Sequence, residues 1–248
     1  MTIMVHESVK PSHVPRSEIF VEPTTICRVG CRQCTFRKPG SRPIREVTLP
    51  PKTLRQAITA LKELGIAHED YPVFVHFSVA GDPFKAPLHN QSKVILEELP
   101  RAQLIAFTTL DFDTQQEVLT KSEGLHSIIA SLDSHHYAHF HRMQLAKGLR
   151  GEKAKTAALQ YLSQRLKWAA QAASQRQIAF AIRTTGPEKE RAYWKSFALE
   201  ALDPNPPVFD PKPRDPAGYS VNRKKPGIYV LANGLITSVV PQDREPLD

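Results

Sequence analysis

Cysteine is scarce in this chain, with three in 248 residues, and methionine and tryptophan are no commoner, at three and two. Three cysteines cannot form the paired framework that staples small secreted domains. No run approaches 18 consecutive apolar residues, which excludes an ordinary membrane-spanning helix. The first sixteen residues lack the basic-then-apolar order of a signal peptide. Acidic side chains are in deficit: 25 Asp and Glu stand against 33 Lys and Arg, for a net charge of +8. That balance favours acidic partners, whether nucleic acid, phosphates or acidic peptides, without choosing among them. These absences lead to the expectation of a protein of the reducing cytoplasm with no membrane partner.

What the chain does have is concentrated. All its cysteines lie in Cys27-Arg28-Val29-Gly30-Cys31-Arg32-Gln33-Cys34. Three thiolates in eight residues can turn inward around one soft metal centre. Structural zinc takes four protein ligands, so zinc here would need a histidine as the fourth. A cubane iron–sulfur cluster held by the three thiolates would leave one of its four irons without a protein ligand. An electron-transfer protein would close that position, whereas an enzyme would keep it open for a substrate or cofactor.

The rest of the sequence alternates. Ile19-Phe20-Val21 begins a first strand over 17–26. A helix is expected over 48–64, with Pro50 or Pro51 opening it and Gly65 closing it. Val73 to Ala80 reads as a strand buried on both faces. Helices over 87–99, 113–122, 153–174 and 188–202 alternate with strands over 102–109, 125–133 and 177–184. Strand–helix repetition implies parallel βα units with right-handed crossovers. The expected fold is α/β, with about six parallel strands and a short C-terminal β-hairpin. The hairpin is signalled by Asn233-Gly234 between two apolar segments. Residues 1–16 read as an irregular arm, 17–202 as the core domain, and 203–248 as a proline-rich connector and the hairpin. The segment from His135 to His141 carries four histidines and reads as a loop leading to Arg142. Its histidines are expected to be exposed or to face a substrate.

The C-x3-C-x2-C spacing just after a strand resembles the signature of the radical S-adenosylmethionine (radical SAM) superfamily. Two further matches support the resemblance. Ala80-Gly81-Asp82-Pro83, at the end of a strand about 50 residues on, is similar to the family's Gly-Gly-Glu-Pro motif. Ser131-Leu132-Asp133, with Arg142 nine residues beyond, is similar to members that act on peptides and proteins. The resemblance implies a partial, open (β/α) barrel. It also implies a 4Fe-4S cluster on Cys27, Cys31 and Cys34 whose open iron chelates S-adenosylmethionine, the sulfonium being cleaved to a 5′-deoxyadenosyl radical. Gly81, Asp82, Ser131, Asp133 and Arg142 would then bind S-adenosylmethionine. A reductant protein such as flavodoxin or ferredoxin would supply the electron, and the substrate would be a peptide or protein. The family's aromatic residue before the third cysteine is Gln33 here, with Phe36 nearby. Two alternatives remain at this stage. One is radical modification of RNA, a nucleotide or another phosphorylated molecule, suggested by basic residues around the cysteines and by Lys147, Arg150, Lys153 and Lys155. The other is a zinc-stabilised nucleic-acid-binding protein.

Overall fold

The computed structural model describes residues 3–12, 18–29, 46–78, 81–204, 208–209 and 227–238. In chain order the elements are β1 (Met4–Val5), β2 (Glu18–Val21), α1 (Pro51–Glu63), β3 (Val73–Phe77), α2 (Leu88–Glu98), β4 (Ala102–Thr108) and α3 (Gln115–Lys121). There follow β5 (Ser127–Leu132), α4 (Ser134–Ala146), α5 (Gly151–Arg176), β6 (Ala179–Thr184), α6 (Glu188–Ala201), β7 (Val208–Phe209), β8 (Ile228–Val230) and β9 (Leu235–Thr237).

Among the described residues nine strands join one sheet, in the order β1-β9-β8-β2-β3-β4-β5-β6-β7. From β2 to β7 each strand lies parallel to the next in sequence. Successive right-handed crossovers in one direction put every helix on the same face. Burial alternates accordingly. Val75, Phe77, Leu104, Ala106, Ile128, Ala130 and Leu132 lie in one core with Leu54, Ile58, Ile95, Val118, Leu162 and Leu166 from the helices. The sheet is open rather than closed, and the α/β expectation holds.

Three expectations need correcting. The strand at Val73 is not buried on both faces: Phe74 is 41% exposed, because the helices cover only the side of Val73, Val75 and Phe77. On the other face Tyr229, Phe20, His76 and Phe107 stack in a row from β8 to β4, with successive ring centroids 5.0, 4.9 and 5.8 Å apart. The N-terminal arm is not wholly irregular, since β1 pairs in parallel with β9. The histidine-rich segment is a helix, α4, not a loop. Asp133 caps it by accepting the His135 and His136 N–H groups at 2.9 and 3.2 Å, which satisfies donors that a helix start leaves unpaired.

Candidate functional site at the C-terminal strand ends

Parallel strands release the chain on one side of a sheet, so the segments after β2, β3, β4, β5 and β6 meet there. Cys27 follows β2 and is half-buried. The backbone on both sides of it is held. The Ile26 carbonyl accepts the Asp82 N–H at 2.8 Å. The Arg28 N–H donates to Asp111 Oδ2 at 3.3 Å. The Val29 carbonyl accepts from Arg142 Nη2 at 3.2 Å, and Val29 itself is fully buried. Before the cysteine, Thr24 Oγ1 accepts the Ile26 N–H at 3.1 Å, and the Thr25 N–H donates to the Val47 carbonyl at 2.9 Å. Cys31 and Cys34, with Gln33 and Phe36, lie outside the described residues.

Gly81 permits one of these contacts. A Cβ on it would stand 2.0 Å from the Thr24 carbonyl oxygen and 3.0 Å from the Ile26 nitrogen. The turn after β3 therefore presses directly on the backbone that leads into Cys27.

Asp82 is fully buried, and its carboxylate is engaged on all sides. It accepts the Phe84 N–H at 2.9 Å, Thr108 Oγ1 at 2.9 Å, and both the N–H and Oγ1 of Thr109 at 2.6 Å. Burial pushes this carboxyl above the usual carboxylate range, while the bonds from Thr109 and Phe84 pull against it. Its oxygens brace the ends of β3 and β4 together. Thr108 Oγ1 in turn accepts the Leu110 N–H at 2.9 Å. Leu110 has φ 63°, a left-handed conformation that costs a bulky side chain on the order of 1–3 kcal/mol and persists only when its surroundings impose it. The next residue, Asp111, is 5% exposed. It meets Lys85 at 3.4 Å, and Lys85 also meets Asp113 at 3.5 Å. Arg28 joins the same group, 3.6 Å from Asp113 and 4.0 Å from Asp111.

At the end of β5, Ser131 is half-buried on the face away from the helices, in register with Arg183 of β6. The Arg183 guanidinium lies 4.6 Å from the Phe107 ring centre. Asp133 is nearly buried and spent within the protein: beyond its cap bonds it accepts from His136 Nδ1 at 2.7 Å and from the Thr185 hydroxyl. Burial opposes its ionisation, yet the charge of His136 and these hydrogen bonds hold its carboxyl far below the usual carboxylate range. His136 and His139 stand one turn apart, 2% and 8% exposed, each with a buried Nε2 that has no partner among the described residues. Of the expectation that these histidines are exposed or face a substrate, exposure fails for both. Burial pushes the His139 imidazole below its ordinary value, opposed by Asp111 and reinforced by Arg142. One turn further along the helix is Arg142, which reaches the Val29 carbonyl. The side of α4 that carries His139 and Arg142 therefore borders the cysteine segment.

Gly81, Asp82, Asp133 and Arg142 are thus brought to one end of the sheet with Cys27, and Ser131 to its uncovered face. Both carboxylates serve as internal braces, and neither presents a free oxygen. Sequence reasoning missed Thr108, Thr109, Asp111 and Lys85. A polar Thr-Thr-Leu-Asp directly after an apolar strand was the available signal. It also missed Arg165 of α5, which is 3% exposed and lies over the rings of Tyr161, Trp168 and Phe112 at 3.9, 4.8 and 5.8 Å. Burial draws its pKa down to about 10. Among the described residues, no group of three or more His, Cys, Asp and Glu side chains is placed to hold a metal ion. No described helix is long and apolar enough to cross a membrane.

No family model matches the sequence. No curated protein matches it either. Among solved structures, the chain is similar to BtrN in complex with AdoMet and 2-DOIA, at 24% identity and a TM-score of 0.40, over 48% of this chain and 46% of that one. It is also similar to native anSMEcpe with bound AdoMet, at 13% identity and a TM-score of 0.48, over 73% of this chain and 49% of that one. A complex of anSMEcpe with AdoMet and the Cp18Cys peptide matches at 14% identity and a TM-score of 0.45, over 73% and 48%. Each match spans about half the length of the solved structure.

Proposed function

We propose that the chain is a radical SAM enzyme whose cluster is held by Cys27, Cys31 and Cys34. The observation that carries this reading is the pinned backbone around Cys27. The first thiolate of a C-x3-C-x2-C segment sits at the C-terminal edge of an open parallel sheet, with its neighbours Ile26, Arg28 and Val29 each hydrogen-bonded to a different loop or helix. A flexible zinc knuckle would not need such anchoring, whereas a site that positions a reacting cofactor does.

Held by Cys27, Cys31 and Cys34, a 4Fe-4S cluster would supply one-electron reductive chemistry toward S-adenosylmethionine. The chain supplies binding, orientation and exclusion of water. Of the residues first assigned to S-adenosylmethionine, we keep Ser131 and Arg142 as the polar groups that would contact it. Arg142 donates to the Val29 carbonyl, and a guanidinium has five N–H donors to share. Gly81 contributes the shape of the turn. Asp82 and Asp133 act by bracing that turn and the start of α4.

The substrate we favour is a peptide or protein rather than a polyanion. The described basic residues are largely engaged. Arg28 pairs with Asp111 and Asp113, Arg150 donates to the Leu145 and Leu149 carbonyls, Lys155 pairs with Glu152, and Lys147 lies over Tyr161.

Anaerobic reconstitution followed by incubation with S-adenosylmethionine and a reductant tests the class. Formation of 5′-deoxyadenosine is expected. A colourless protein that binds zinc and releases no 5′-deoxyadenosine would refute the reading. RNA binding that weakens steeply with salt, as counterion release requires, would turn the substrate assignment toward nucleic acid.

A further inference from the structure

Asp111 has no role in the motifs that suggested a function, yet three features of the fold converge on it. The first is how it is aimed. Asp82 ties down Thr108 and Thr109, Thr108 Oγ1 accepts the Leu110 N–H, and Leu110 is held at φ 63° with its side chain fully buried. A leucine is rarely found there, so the surroundings impose the bend, and the bend delivers Asp111 to the cysteine segment. The second is how its charge is compensated. Lys85, whose side chain is 7% exposed, stands 3.4 Å from Asp111, on the short turn that Asp82 caps. The third is what it touches: the Arg28 N–H, the first backbone donor after Cys27.

We propose that Asp111 is a positioning residue for the cysteine loop, fixing the backbone immediately after Cys27 in the conformation that receives the cluster. The inference rests on the radical SAM reading above and adds a residue to it. Arg142 performs the matching task on the next residue, accepted by the Val29 carbonyl, so consecutive groups of the loop are held from the segment after β4 and from α4. The Arg28 side chain is 55% exposed.

Hydrogen exchange of the Arg28 amide, followed by NMR on the metal-free full-length protein, tests the contact itself. In the wild type this amide should exchange at least tenfold more slowly than a freely solvated one. Asp111→Ala should abolish that protection and lower the iron bound per chain on anaerobic reconstitution by twofold or more. Asp111→Asn keeps a side-chain oxygen to accept the bond and should restore most of both. Protection of the β4 and β5 amides in each variant reports that the sheet is intact. Free exchange of Arg28 in the wild type would overturn the proposal without any variant, which covers an Asp111→Ala chain that fails to fold. Unchanged exchange and iron in Asp111→Ala would overturn it too, as would an Asn variant indistinguishable from Ala. A wild type that protects Arg28 but loads no iron would instead sink the cluster reading and leave the contact standing.

Discussion

Gly81 shows how much one missing methyl group can decide. The Thr24 carbonyl stands 2.0 Å from where its Cβ would be, and that carbonyl is backbone, which cannot swing aside as a side chain would. Gly81→Ala should destabilise the fold by about 1–3 kcal/mol, the usual range for forced overpacking, and should impair iron loading. Denaturant unfolding and iron content check the two effects separately. At the same scale, His139 should give the protein a pH-dependent stability. Its folded pKa lies below the ordinary histidine value, chiefly through burial. Below that value the unfolded state binds the proton more readily, so stability should fall as pH drops from about 7 to 5. His139→Gln should flatten that part of the curve. Asp133 acts in a lower window. Its carboxyl is depressed, so its contribution is present above the unfolded value near pH 4 and is lost as pH falls further. The close approach at Gly81 was legible because a glycine at a strand end often marks one. Asp111 was not, because nothing local marks an aspartate whose partner lies 83 positions away.

At the scale of elements, helices α1, α2, α5 and α6 were legible from apolar periodicity and from Pro and Gly at their ends. The start of α5 lay two residues before its expected position, and Gln177, in a left-handed conformation, closes it. Helix α4 was hidden for a physical reason. Its buried face is His136, His139, Phe140 and Gln144, with the spacing of a helix but only one apolar side chain among the four. Counting histidine as polar erased the period. The clue that remained was Asp133, a good cap residue directly before the segment. Asp133→Ala should remove the cap and leave His136 Nδ1 buried without its acceptor. A loss of about 2–4 kcal/mol is expected, a cap plus a buried polar group left unsatisfied, and hydrogen exchange should localise it to the first turn of α4. Uniform loss of protection across the chain would instead mean that the cap supports the whole fold. Strand β3 misled in the opposite direction. Val73-Phe-Val-His-Phe looks continuously apolar, but one-sided helix cover makes it an alternating strand whose other face holds Phe74 and His76.

At the scale of the whole molecule, the C-terminal hairpin was foreseen as a unit but not as part of the sheet. Asn233-Gly234 signals a turn and carries no information about which edge the hairpin will join. The register shows that β8 lies parallel to β2, with Ile19 opposite Ile228 and Val21 opposite Val230. Ile228, Tyr229 and Val230 are all buried, so the strand is a full layer of the fold. Beyond the strands, the fully buried Glu22 accepts the Ala232 N–H at 2.9 Å, and its own N–H donates to the Val230 carbonyl at 2.8 Å. Five residues after Glu22 comes Cys27. The hairpin therefore covers the edge of the strand that delivers the first cysteine, and its loss would uncover the edge of β2 and remove the Ala232 N–H from the Glu22 carboxylate. Ending the chain before Gly227 should lower stability and also the capacity to load iron, although the removed residues include no cysteine. The local form of the test is Glu22→Gln, which keeps an oxygen acceptor for Ala232 while removing the charge. If the hairpin acts by covering β2, Glu22→Gln should load iron nearly as well as the wild type and the truncated chain should not. Equal iron content in wild type and truncated chain would show that β2 holds the cysteine segment without its neighbour.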